Sequence, residues 1–174
     1  MTTSLRIAVV GAGAIGRAHI DRILKSRDCQ LMAIVDPAPG ASDLAAKAGV
    51  PLAASLAEVL KQRPDGVILA TPNRLHVEQG LACIAAGVPA LIEKPLADTI
   101  EDGERLCEAA ERAGVKLLTG HHRQHNPIMT RAVEIVKSGR LGRWSLSSAP
   151  RCSASPTSIS RRARGGGSSA AGRC

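Results

Sequence analysis

Six residues, Gly11-Ala12-Gly13-Ala14-Ile15-Gly16, constrain the fold of this 174-residue chain more than any other stretch. They follow the apolar run LRIAVV at residues 5–10 and open a segment of helical periodicity, so they occupy a strand-to-helix turn. The glycines then serve distinct mechanical purposes. Gly11 permits the tight reversal, Gly13 lets an anionic group approach the backbone, and Gly16 lets the helix close on the strand. The helix that starts at Ala14 and Ile15 turns free amides and the positive end of its dipole toward that anion. A GxGxxG alone is a weak signal. It gains weight when an acid stands about 20 residues on, at the end of a second strand, and Asp36 stands there.

From Leu5 to Thr119 short apolar runs alternate with longer amphipathic stretches, the pattern of parallel strands joined by helical crossovers. The expected architecture is α/β, a doubly wound parallel sheet of the Rossmann type. Strands are expected at 5–10, 31–36, 66–70, 89–92 and 115–119, with a short weak one near 50–53. Helices are expected at 14–26, 41–48, 55–62, 74–86, 98–113 and 127–138, the last opened by Pro127 and closed near Gly139. Gly49, Gly87 and Gly114 suit helix C-termini, and Ser55 with Glu58 and Asp98 with Glu101 suit N-terminal capping boxes.

Composition narrows the function classes. With 44% hydrophobic and 22% charged residues the chain is globular in character, but it has no Phe or Tyr and one Trp, so its core must be built from Ala, Val, Leu and Ile. A net charge of +8 suggests a polyanion partner, yet residues 145 to 174 hold five Arg and no acid, and most of the excess belongs there. The five cysteines are odd in number and widely spaced, which argues against a disulfide framework or a metal module and for free thiols in a reducing compartment. The apolar run near the start is broken by glycines and followed by charge, unlike a signal peptide, and no apolar stretch reaches about 18 residues, so a cytoplasmic protein without membrane contact is expected.

Three positions carry the chemistry. A carboxylate at Asp36 accepts hydrogen bonds from ribose hydroxyls and repels a 2'-phosphate, which favours NAD over NADP, and Pro37 and Ala38 offer no adjacent arginine clamp. Thr71-Pro72-Asn73, with His76 in the next helical turn, follows the strand GVILA at the carboxyl edge where ligands bind; such a motif read alone is more often no more than a turn and helix start with Asn73 as N-cap. Glu93-Lys94-Pro95 follows the strand PALI at the same edge, where a lysine could hold a substrate hydroxyl beside a nicotinamide. His121, His122 and His125 lie in a polar loop and read as hydrogen-bonding residues rather than metal ligands.

Taken together, GAGAIGRAH, the Asp36 strand end, ATPNRLHVEQGLACIAAGVPALIEKPLA and GHHRQHNP resemble the Gfo/Idh/MocA family of oxidoreductases, from about residue 5 to 143. The resemblance implies an NAD(P)-dependent dehydrogenase of a sugar, cyclitol or related small alcohol. It implies that Gly11, Gly13, Ala14, Ile15 and Gly16 cradle pyrophosphate and that Asp36 takes the ribose. It further implies that Thr71, Asn73 and His76 line the cofactor cleft and that Glu93 and Lys94 flank the nicotinamide. Lys94 is then the catalytic lysine, often preceding a cis proline peptide, here Pro95. Arg123 and Asn126 are expected near the cofactor.

Three domains are expected on this basis: an NAD-binding domain over 1–120, a connecting loop and helix over 121–143, and a disordered Ser/Arg/Gly-rich tail over 144–174. The family's second domain, which would supply the substrate pocket, has no counterpart in the tail. Its abrupt loss of apolar periodicity, acids and lysines reads as an out-of-frame translation of GC-rich DNA, with a genuine linker as the rival. The chain alone is then expected to be inactive. Two other classes remain: a noncatalytic NAD-binding module, and a nucleic-acid binder acting through Arg151, Arg161, Arg162, Arg164 and Arg173, which the absence of aromatics for base stacking disfavours. The substrate and any homo-oligomer are left open.

Overall fold

The computed structural model describes residues 4–121 and 126–142. Residues 4–121 form one compact unit, and the helix at Pro127–Lys137 belongs to another. The first unit is a parallel sheet of β1 (Leu5–Val10), β2 (Cys29–Val35), β3 (Leu52–Ala53), β4 (Gly66–Leu69), β5 (Ala90–Ile92) and β6 (Leu117–Thr119). The strand order is β3-β2-β1-β4-β5-β6, so the chain reverses its direction of travel across the sheet between β1 and β4. The helices are α1 (Ala14–Lys25), α2 (Ala41–Ala48), α3 (Leu56–Lys61), α4 (His76–Ala85) and α5 (Ile100–Ala113), with α6 (Pro127–Lys137) in the second unit. The expected doubly wound sheet is the one observed.

Alternation along the strands sorts side chains onto two faces. Val9 and Ile34 join Ile20 and Ile23 of α1 and Ala41 and Ala45 of α2. Val10, Val35, Val67, Leu69 and Ile92 join Val59, Cys83, Ile84, Leu106 and Ala110 of α3 to α5. The β1–β2 register shifts between Ile7 and Ala8, where Met32 is inserted, so Met32 and Ala33 both lie against the second cluster. Both clusters are aliphatic apart from Cys83, and burial pushes the Cys83 thiol up to about 12. No helix among the described residues is long and apolar enough to cross a membrane.

The helix ends follow from local chemistry, with two differences from expectation. Gly49 and Gly114 take left-handed caps at φ +69° and +65°, and Ser55 Oγ accepts from Glu58 N while Glu58 Oε2 accepts from Ala54 N. The α5 cap is not Asp98 with Glu101 but Thr99, extended at φ −123°, whose hydroxyl accepts from Asp102 N. Both registers fit the sequence, but the helix starts at Ile100, and that puts Thr99 in the capping place. Thr99→Ala is therefore expected to cost about 1 kcal/mol in urea unfolding, while Asp98→Ala changes the midpoint little. The stretch expected as one helix from 74 opens instead as a 3-10 turn, Asn73–Leu75, preceded by Pro72, and Asn73 makes no side-chain cap.

Candidate functional site

At the β1/β4 reversal the carboxyl ends of the strands part, and an open cleft of about 540 Å³ lies there. Val10, Gly11 and Gly13 come to it from the first turn, Val35, Asp36 and Pro37 from β2, and Ala70, Thr71, Pro72, Arg74, Leu75 and Gln79 from the β4 exit and α4. Its size falls within the range of about 300–1,000 Å³ that suits small organic ligands.

The three glycines are there for different reasons. At Gly11 φ is +93° and a Cβ would lie 2.4 Å from the Ala70 carbonyl oxygen, so only glycine lets β1 turn so close to β4. At Gly16 a Cβ would lie 1.8 Å from the Gly11 carbonyl oxygen, because α1 is pressed onto the turn itself. Gly13 is the N-cap of α1 at an ordinary φ of −67°, and a Cβ there would meet nothing within 4 Å. The chain's own packing makes no demand for glycine at 13. Ala14 and Ile15 open the helix, exposed, and are not cleft-lining residues.

Asp36 holds the turn directly from the end of the neighbouring strand β2. Its Oδ2 accepts from Ala12 N at 2.6 Å and its Oδ1 from Ala38 N at 2.7 Å, and the half-buried carboxylate retains lone pairs beyond these two. Arg74 is the other charged lining residue, with its side chain exposed. Thr71 lies on the opposite wall, its hydroxyl donating to Gln79 Oε1 at 2.7 Å.

His76 is placed differently from the expectation that it lines this cleft. It is 1% exposed, with Nε2 at 2.8 Å from the Thr71 carbonyl and Nδ1 at 2.8 Å from the Pro95 carbonyl. The ring therefore bridges the β4 and β5 exits and is turned away from the open space; a neutral imidazole donates from one of these nitrogens. Asn73, at the head of the 3-10 turn, is exposed and outside the lining too.

Glu93 and Lys94 lie at the β5 exit, beyond the cleft lining. Glu93 is 8% exposed, whereas Lys94 is exposed, and the Lys94–Pro95 peptide is cis. Glu93 Oε1 faces His19 Nε2 at 2.8 Å, and Glu93 Oε2 accepts from Lys94 N at 3.3 Å. His76 and Glu93 are the buried polar or charged side chains among the described residues; Glu93 accepts from the Lys94 amide and His76 reaches the Pro95 carbonyl.

His122, Arg123 and His125 lie outside the described residues. Asn126 uses its side chain to cap α6, Oδ1 accepting from Ile128 N at 2.9 Å. Among the described residues no cluster of His, Cys, Asp or Glu could hold a metal ion. Sequence reasoning missed Arg74, Gln79 and His19. The last had a readable signal, since His19 sits in the sheet-facing stripe formed by Gly16, Ile20 and Ile23 of α1.

Known proteins share both the sequence pattern and this architecture. A family model described as an oxidoreductase family with the NAD-binding Rossmann fold matches residues 5–121. The chain is 36% identical over 126 residues to a 4-carboxy-2-hydroxymuconate-6-semialdehyde dehydrogenase of Sphingobium, covering 71% of the chain and 40% of the relative. It is 33% identical over 148 residues to an inositol 2-dehydrogenase of Arthrobacter, covering 82% and 44%. Among solved structures, the WlbA dehydrogenase of Bordetella pertussis in complex with NADH and UDP-GlcNAcA superposes with a TM-score of 0.74 at 33% identity, over 82% of this chain and 42% of that one. The chain thus spans about half or less of the length of the curated relatives it matches. A glycine turn forced by close contact at Gly11 and Gly16, an acid at the next strand end and a match running unbroken from β1 past β6 leave one assignment: the chain belongs to the Gfo/Idh/MocA oxidoreductase family.

Proposed function

We propose that the cleft at the β1/β4 reversal binds NAD, and that this chain is the dinucleotide-binding part of a dehydrogenase acting on a sugar, cyclitol or related small alcohol. The observation that carries the reading is the contrast among the glycines: the fold itself requires Gly11 and Gly16, while Gly13 stands beside open space at a helix N-terminus. That space and the free amides behind it fit a pyrophosphate. Beside the turn, the remaining lone pairs of Asp36 fit the hydroxyls of the adenosine ribose.

Bound NAD supplies the ring that accepts hydride. The chain's residues bind and orient around it. Gly11 and Gly13 border the phosphates, Asp36 fixes the ribose, and Pro72 and Leu75 provide apolar wall. Lys94 at the β5 exit projects into solvent, free to hold a substrate hydroxyl and exchange a proton at Nζ. The relatives include inositol 2-dehydrogenases and a 1,5-anhydro-D-fructose reductase, which supports a polyol or sugar as the substrate class.

A noncatalytic NAD-binding module is the second reading, favoured by one observation: Lys94 does not line the cleft. The 174-residue chain is expected to bind NADH in a fluorescence titration and to give no turnover with inositols or aldoses. Lys94 acts only on a substrate held beside it, and such positioning supplies several kcal/mol of barrier reduction. Reduction of NAD by the purified chain, abolished in Lys94→Met, would show that these residues hold substrate unaided. Absence of NADH binding would overturn the proposal.

A further inference from the structure

The β5 exit is braced from two sides of the sheet, and one of the braces involves a residue with no assigned role. His19 lies on α1, whose neighbouring buried residues Gly16, Ile20 and Ile23 face the sheet. A histidine in that stripe occupies a place where the helix otherwise carries apolar or minimal side chains. Its Nε2 reaches Glu93 Oε1 at 2.8 Å across a separation of 74 residues, and both side chains are largely buried, at 14% and 11% exposure. Because a carboxylate only accepts, His19 donates from Nε2.

Glu93 has little freedom to move. Its backbone N–H donates to the Leu69 carbonyl of β4, and the backbone of Gly120 passes so close that a Cβ there would lie 2.6 Å from the Glu93 carboxylate. The other carboxylate oxygen accepts from Lys94 N. From the opposite side, His76 of α4 reaches the Pro95 carbonyl. The dipeptide that presents the Lys94 side chain is thus tied to α1 through Glu93 and to α4 through His76.

We infer that His19 is a positioning residue, which through Glu93 fixes the backbone at Lys94 and so shapes the end of the site that receives the nicotinamide ring. The inference rests on the NAD reading above. Without His19 the Glu93 carboxylate is left buried and one partner short, and it must turn toward water or another donor, releasing the Lys94 amide. The adenosine end is built by Asp36 and the glycine turn, and neither touches this network.

The experiment compares two ligands on the full chain by titration calorimetry: NADH, and ADP-ribose, which shares the adenosine and pyrophosphate but lacks nicotinamide. His19→Ala is expected to weaken NADH about tenfold or more while leaving ADP-ribose within about twofold, the size set by one hydrogen bond to a charged group. His19→Gln, whose amide nitrogen donates to the same oxygen, is expected to recover most of the loss. Should the alanine variant fail to fold, His19→Leu refills the sheet-facing slot without a donor and is read in the same way. Equal losses for both ligands, or none for either, would overturn the inference. So would a wild type that binds NADH no tighter than ADP-ribose, although the dinucleotide reading would then stand. A wild type that binds neither would remove that reading and this inference with it.

Discussion

Gly16→Ala is expected to lose a substantial part of its native stability, while Gly13→Ala folds like the wild type and fails to hold NADH. At Gly16 the new methyl would sit 1.8 Å from the Gly11 carbonyl oxygen, a backbone atom that cannot rotate away, so α1 or the turn must move. Forced overpacking of this kind costs about 3 kcal/mol or more, a large part of the roughly 5–15 kcal/mol that holds a typical domain together. At Gly13 the backbone is already in a conformation any residue adopts and the methyl meets no protein atom, so the urea midpoint should not move. The same methyl would stand where the pyrophosphate must approach the amides, and NADH affinity should fall by at least about tenfold, or about 1.4 kcal/mol. A Gly13→Ala chain that binds NADH as tightly as the wild type would place the ligand elsewhere.

Asp36→Ala carries the second large effect. The wild type is expected to bind NADH in preference to NADPH, since the Asp36 carboxylate would accept from ribose hydroxyls in one and confront a phosphate in the other. Hydrogen bonds to a charged acceptor contribute roughly 1.5–3 kcal/mol, so the substitution should weaken NADH by about 10 to 150 fold. It also removes the acceptor for the Ala12 and Ala38 amides, which loosens the turn for both cofactors alike. The ratio of the two dissociation constants is therefore the decisive quantity, and it should move toward unity in the variant. A wild type that prefers NADPH would reverse the assignment of Asp36.

The strands and helices were legible because their signals are local. LRIAVV and GVILA are short apolar runs bounded by turn residues, and α1 and α5 carry helical periodicity. The glycine turn and Asp36 were legible because a fixed spacing encodes them. What escaped was set by contacts distant in sequence. Nothing near His19 points to Glu93, and nothing near His76 shows that both ring nitrogens will find carbonyls and turn the ring inward. Arg74 lies in the 3-10 turn before α4 and Gln79 on α4, and the local pattern does not show that both border the cleft. The α5 cap shifted by one residue because Asp98 and Thr99 each have an acid three places on, and only the observed helix start at Ile100 decides between them.

The ring-free core described above also decides which groups have conformational freedom left to lose when a ligand arrives. Alanine surrenders no rotamer freedom on burial, valine is already stiff at its single torsion, and neighbouring strands hold these side chains before any ligand is present. At the strand exits, His76 and Glu93 are likewise committed through their hydrogen bonds. Of the long exposed side chains around the site, Arg17 is already tied through its Nε to the Ala12 carbonyl, which leaves Arg74 and Lys94, and ordering such a chain costs up to about 1.5–2 kcal/mol. The side-chain entropy this part of the chain has left to lose on binding is therefore concentrated in these two cations. One shares the cleft lining with Asp36 and the other stands at the β5 exit, so each half of a dinucleotide would meet its own resistance while the sheet beneath stays as it was.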